Sequence, residues 1–220
     1  MNIHYLGHSA FEITTNGKKI LIDPFLVCTP NYKPENIYDI FVTHGHGDHL
    51  GDAINISSKT GAPITAIFEL ANYCAKKGAK TIDMGLGSWR SYSWGKAILV
   101  PAFHSNSTPE GQYAGCPCGI ILDIEGKIIY HAGDTCLNSE MKIIGEVYQP
   151  DIAMLPIGGK YTMDIEHAVK ASEWIGATTI IPMHYNTFDA IQVDIEEFTR
   201  QIREIGKLPV VIDIDNNIQA

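Results

Sequence analysis

Four short apolar runs, each delivering a histidine or an aspartate just past its end, are the strongest constraint on how this chain can fold. Ile40-Phe41-Val42 leads through Thr43 into His44-Gly45-His46-Gly47-Asp48-His49. Residues 98–103 lead into His104, residues 128–133 into Asp134, and residues 179–183 into His184. Runs of this length, rich in β-branched residues and closed by turn residues, read as buried strands. Side chains just beyond strand ends lie on one rim of a sheet layer, where open α/β folds place their sites. Four such positions can meet in space although they lie far apart in the chain.

Imidazole and carboxylate are the groups that bind zinc and similar divalent ions near neutral pH. With nine histidines in 220 residues, three of them within six positions beside an aspartate form a candidate metal-ligand cluster. The plainer alternative is a solvated, His-rich loop. Taken singly, His104 and His184 would read as hydrogen-bonded surface or core histidines, and Asp134 as a turn residue. Their arrival after strand ends, in a chain that already carries the cluster, makes them candidate ligands.

Other runs at residues 3–6, 10–14, 19–22, 64–67, 119–124 and 210–214 read as further strands. Asn16-Gly17 and Gly126 mark hairpins. Helical periodicity spans residues 68–77, stopped by Gly78, and residues 165–175, stopped by Gly176. Asp194 with Glu197 three residues on predicts a capped helix through about Ile205, stopped by Gly206. Strands precede helices in each half of the chain. This pattern predicts an α/β (α+β) layered architecture and hints at duplication without a residue-level repeat.

No linker or low-complexity tract is visible, so one domain over residues 1–220 is expected. A net charge of −9 without any basic run argues against nucleic acid as a partner. No apolar run reaches the eighteen or so residues that span a bilayer. Five cysteines, an odd number without metal-finger spacing, suit a reduced, cytoplasmic chain.

The series His44-Gly-His46-Gly-Asp48-His49, His104, Gly133-Asp134-Thr135 and His184 resembles, in order and separation along essentially the whole chain, the metal ligands of the metallo-β-lactamase superfamily. Leu6-Gly7-His8-Ser9-Ala10-Phe11 and Leu21-Ile22-Asp23-Pro24-Phe25 resemble, more narrowly, a branch of small metal-dependent hydrolases. That branch is related to ascorbate-6-phosphate lactonase and N-acyl-phosphatidylethanolamine phospholipase D. The resemblance implies a four-layer αββα sandwich of two similar halves. It also implies two divalent ions, with His44, His46 and His104 on the first, Asp48, His49 and His184 on the second, and Asp134 bridging. Zn²⁺ suits the histidines best, and Mn²⁺, Fe²⁺ or Ni²⁺ are admitted by the carboxylates. Seven ligand groups exceed what one tetrahedral zinc can use.

The implied reaction is hydrolysis of a small ester, lactone or phosphodiester-type substrate by a hydroxide held between the ions, with Asp48 and Asp134 as the catalytic carboxylates. No serine elbow of the form G-x-S-x-G competes with this. Two other classes stay open. One is an iron-dependent oxidoreductase on the same fold, although related di-iron enzymes carry Glu where His46 stands. The other is a non-catalytic metal-binding protein, although every ligand position is filled. Asp23 is expected to orient a ligand histidine or to serve as a turn before Pro24. His8 either faces the metals or is structural. Lys160 and Tyr161 could hold a substrate anion. Asp164 reads as the N-cap of the helix containing His167. His131, and the Cys116/Cys118 pair, are left out of the site.

Overall fold

Two hairpin turns organise the chain locally. Asn16-Gly17 and Glu125-Gly126 each place two successive residues in the left-handed region, with φ of 47° and 72° in the first and 56° and 82° in the second. This backbone matches the twist of paired strands and draws on glycine's tolerance of positive φ. In the computed structural model, which describes all 220 residues, each hairpin sits inside a seven-stranded sheet. The chain divides into unit 1 (Met1–Ser88, Ser105–Cys118, Ile212–Ala220) and unit 2 (Trp89–His104, Gly119–Val211).

In unit 1, β1 (Asn2–Gly7), β2 (Ala10–Thr15) and β3 (Lys18–Ile22) run antiparallel. The sheet continues in parallel through β4 (Ile37–Phe41), β5 (Ile64–Ile67) and β6 (Thr81–Met84). In unit 2, β7 (Arg90–Tyr92) pairs antiparallel with β8 (Gly95–Pro101), and β9 (Cys118–Ile124) with β10 (Lys127–His131). Then β11 (Ile152–Pro156), β12 (Thr179–Met183) and β13 (Leu208–Pro209) extend it in parallel. The edge strand β14 (Asn217–Gln219) completes the first sheet against β1. The strand orders 14-1-2-3-4-5-6 and 7-8-9-10-11-12-13 therefore follow one plan, a hairpin feeding three parallel strands. The expected duplication is present as topology.

Helices cover the parallel strands. In unit 1, α1 (Gly47–Leu50) is a single turn, α2 (Ala53–Thr60) packs on β4 and β5, and α3 (Phe68–Lys76) packs on β5 and β6. Ile40, Val42, Ile64, Ile56, Leu70 and Cys74 share one apolar cluster there. Each fully buried aliphatic side chain in such a cluster contributes about 2 kcal/mol. In unit 2, α5 (Ile165–Ile175) packs on β11, α6 (Ile195–Glu204) on β13, and α4 (Glu140–Tyr148) on α5. A Cβ at Gly145 would lie 2.5 Å from the Trp174 carbonyl, so the α4–α5 approach requires glycine. The Asp194 carboxylate accepts from the Glu196 and Glu197 amides and Asp164 accepts from the His167 amide, as the capping patterns predict. No helix is long and apolar enough to cross a membrane.

The expected strand at residues 210–214 is absent. Val210 N still donates to Ile180 O, but Pro209 cannot donate to the ladder, and Asp213, Asp215 and Asn216 close a turn instead. Helices α2 and α4 escape periodicity because α2 is rich in Asn, Ser and Thr and α4 carries Gly145 in its interior.

Candidate metal centre

One buried carboxylate organises the histidine loop of unit 1. Asp23 follows β3 directly, is fully buried, and sits at φ 45°. Its Oδ1 accepts from Thr43 N at 2.8 Å, and its Oδ2 accepts from Thr43 Oγ1 at 2.7 Å. Asp23 Oδ2 also lies 2.7 Å from His49 Nδ1. A carboxylate only accepts, so His49 Nδ1 carries the proton and, in the neutral ring, Nε2 holds the lone pair. The same logic passes through Thr43. Its single hydroxyl proton goes to Asp23, so at 3.1 Å it accepts from His44 Nδ1, again leaving the lone pair on Nε2. Asp23 thus sets the tautomer of two histidines and leaves Nε2 of each able to coordinate, the arrangement that carboxylates behind metal-ligating imidazoles produce.

His44 Nε2 lies 3.0 Å from His46 Nδ1. Two nitrogens bound at about 2.0–2.1 Å to one tetrahedral ion stand about 3.3 Å apart, so this spacing suits neighbouring ligands. Between them, Gly45 N donates to Asn106 Oδ1 at 2.7 Å, and Asn106 Nδ2 donates to the Ala114 and Gly115 carbonyls. A Cβ at Gly45 would lie 2.9 Å from both Ala114 Cβ and Ser107 O, so the turn accepts only glycine. Below it, Cys118 donates through N and Sγ to Thr43 O. Burial pushes the Cys118 thiol well above its ordinary range, with the Asp23 charge adding to this. The single turn α1 then presents Asp48 and His49 side by side. His8, one residue past β1 and fully buried, has Nε2 3.1 Å from Asp48 Oδ2.

Unit 2 carries the other three expected ligands. Asp134, 3% exposed, lies three residues past β10. Its Oδ2 is 3.1 Å from His184 Nε2 and 3.5 Å from His104 Nε2, again spacings of adjacent ligands on one ion. Thr135 ties this turn down. Its Oγ1 accepts from Phe103 N, beside His104, and its carbonyl accepts from Met163 N. His184 follows β12 at φ 54°, and a Cβ at Gly158 would lie 2.3 Å from its carbonyl. His8, Asp23 and His184 are all non-glycine residues in the left-handed region, which costs about 1–2 kcal/mol each and concentrates at functional sites.

Lys160 and Tyr161 lie exposed on the turn between Gly159 and Met163, the ammonium 5.3 Å from the phenol ring. His131 is fully buried and its Nδ1 accepts from Gly133 N, a structural role. Sequence reasoning missed Thr43, Asn106 and Thr135 as supports. Thr43, standing between a strand and the cluster, and Thr135, inside the Gly133-Asp134-Thr135 motif, carried a local signal, and Asn106 carried none.

A family model described as the beta-lactamase superfamily domain matches residues 2–184. A metal-dependent hydrolase from Staphylothermus marinus is 48% identical over 221 residues, covering 96% of this chain and 94% of that one. One from Anoxybacillus flavithermus is 43% identical, covering 94% and 96%. The structure of a metallo hydrolase from the hyperthermophilic archaeon Ignicoccus hospitalis superposes with a TM-score of 0.90 at 36% identity, covering 99% of this chain and 97% of that one.

Proposed function

This chain belongs to the beta-lactamase superfamily and is a metal-dependent hydrolase of the metallo-β-lactamase fold, and on that premise we propose that it cleaves a small ester-, lactone- or phosphodiester-type substrate at a centre of two divalent ions. In this reading His44, His46 and His104 hold one ion, Asp48, His49 and His184 hold the other, and Asp134 serves both. Zinc is the first choice for so imidazole-rich a set. When bound, such ions supply a Lewis acid and a water acidified to near neutrality.

The chain's own residues do the rest. Asp23 keeps lone pairs on His44 Nε2 and His49 Nε2, so neither ring must lose a proton to bind. Asp48, partly exposed, orients the attacking water through a carboxylate oxygen. Asp134 supplies negative charge beside His104 and His184. Lys160 and Tyr161 offer an ammonium and a phenol to an anionic part of the substrate.

The observation that carries the proposal is the double use of Asp23, whose three short hydrogen bonds prepare two histidines for metal. The test is to count metals in the purified protein and assay lactones, esters and phosphodiesters with and without chelator. The expected result is two ions per chain and a hydrolytic activity abolished by chelation and restored by Zn²⁺. Fully loaded protein inactive on all three classes would overturn the reading.

A further inference from the structure

Local rules do not explain His8. It opens the two-residue connection His8-Ser9 between β1 and β2, where the register shifts between Tyr5 and Gly7. Tight connections of this kind select Gly or Asn for positive φ, yet an imidazole stands here at φ 57°, fully buried. The conformation is held from both sides. Gly7 takes φ 98°, and the Tyr5 hydroxyl donates to the His8 carbonyl at 2.9 Å. The ring lies edge-on to His49 at 5.6 Å between centroids, and Nε2 reaches Asp48 Oδ2 at 3.1 Å.

We propose that His8 is a positioning residue that acts through Asp48, donating Nε2–H to one carboxylate oxygen so that the other is aimed at the metal and water. This rests on the reading above that Asp48 serves the centre. The Asp48 side chain is 30% exposed and stands on a helix of one turn, whereas His8 is fully buried, so the histidine gives one carboxylate oxygen a fixed point of attachment. In this role the Nε2 that faces the carboxylate carries the proton, because a carboxylate cannot donate, and holds no lone pair for a metal. That sets His8 apart from His49, which faces its carboxylate through Nδ1 and keeps Nε2 for a metal. A purely structural histidine looks different, as His131 does in accepting from a neighbouring backbone amide.

The test has two arms on the full chain. Imidazole ¹⁵N resonances of the metal-free protein should show His8 as the Nε2–H tautomer, and D48A should shift that nitrogen. Zinc titration should then show H8A still binding two ions, with the weaker step lost by about tenfold to a hundredfold and the tighter step unchanged. H8Q, whose amide can present an N–H to the same oxygen, should recover most of the loss. Three results would overturn the proposal: an unchanged weaker step, equal weakening of both steps, or a fall to one ion per chain, which would make His8 a ligand. If H8A does not fold, H8Q and the resonance arm decide. Wild-type protein that binds fewer than two ions would sink the two-ion centre, while the resonance arm would still show whether His8 donates to Asp48.

Discussion

The two units place side chains on the same strand plan but distribute them differently. Unit 1 concentrates its donors after one strand, β4, in the loop His44–His49, and backs that loop with Asp23 after β3 and His8 after β1. Unit 2 spreads single donors over three strand ends, His104 after β8, Asp134 after β10 and His184 after β12. Asp23 and Asp134 occupy corresponding places, beyond the hairpin strand that leads into the parallel array. Asp23 faces its own unit's backbone and side chains, fixing Thr43 and His49. Asp134 instead lies beside two histidine nitrogens. The same position in the fold has become a support in one copy and a ligand candidate in the other. The lesson is that unit 1 gathers its donors in one loop, whereas unit 2 brings one donor from each of three strand ends.

Substitutions can break or sharpen that contrast. The largest effect is expected from Asp134→Ala, which removes the one carboxylate of unit 2 beside both histidines. Losing several kcal/mol of metal-derived stabilisation corresponds to a fall in kcat/KM of about 10³-fold, together with a drop in metal content. Asp23→Asn comes next. An amide keeps the shape but weakens its contacts with Thr43 and His49. Metal affinity should fall about 10–100-fold, and a thermal melt should register about 1–3 kcal/mol for the buried network. Equal effects of the two substitutions on metal content would erase the distinction between support and ligand.

Asn106→Ala is smaller. It removes three hydrogen bonds at the Gly45 turn, for a loss of about 1–3 kcal/mol, read by denaturant unfolding. Activity should fall further than stability alone explains, because His44 and His46 flank that turn. The smallest effect is chemical. Cys116 and Cys136 are exposed, while Cys74 and Cys118 are buried. Burial pushes the Cys74 thiol up to about 12 and Cys118 higher still, so at pH 8 neither forms appreciable thiolate. Brief alkylation followed by mass mapping should label Cys116 and Cys136 and spare Cys74 and Cys118.

Much of this was legible in the chain. The strands that deliver His44, His104, Asp134 and His184 are short apolar runs, and position after a strand end is a one-dimensional property. The helix caps at Asp164 and Asp194 were readable for the same reason. Apart from Asp23, which follows a strand end, the supports were not. Asn106 lies 61 residues from the Gly45 amide it holds, and Thr135 lies 32 residues from the Phe103 amide. Small polar residues of this kind acquire a role only from what the fold sets beside them. His8 was ambiguous because a buried imidazole suits a core as well as a site until its partner is known. Helix α4 was hidden by Gly145, whose presence is explained by the backbone of α5 and by nothing in its own segment.

The most direct measurement is anomalous diffraction at the zinc edge from crystals of the zinc-loaded protein. Two peaks are predicted, one against His44 Nε2, His46 and His104, the other against Asp48, His49 Nε2 and His184, with Asp134 touching both. A single peak, or peaks away from these side chains such as at Cys116, would contradict the two-ion account.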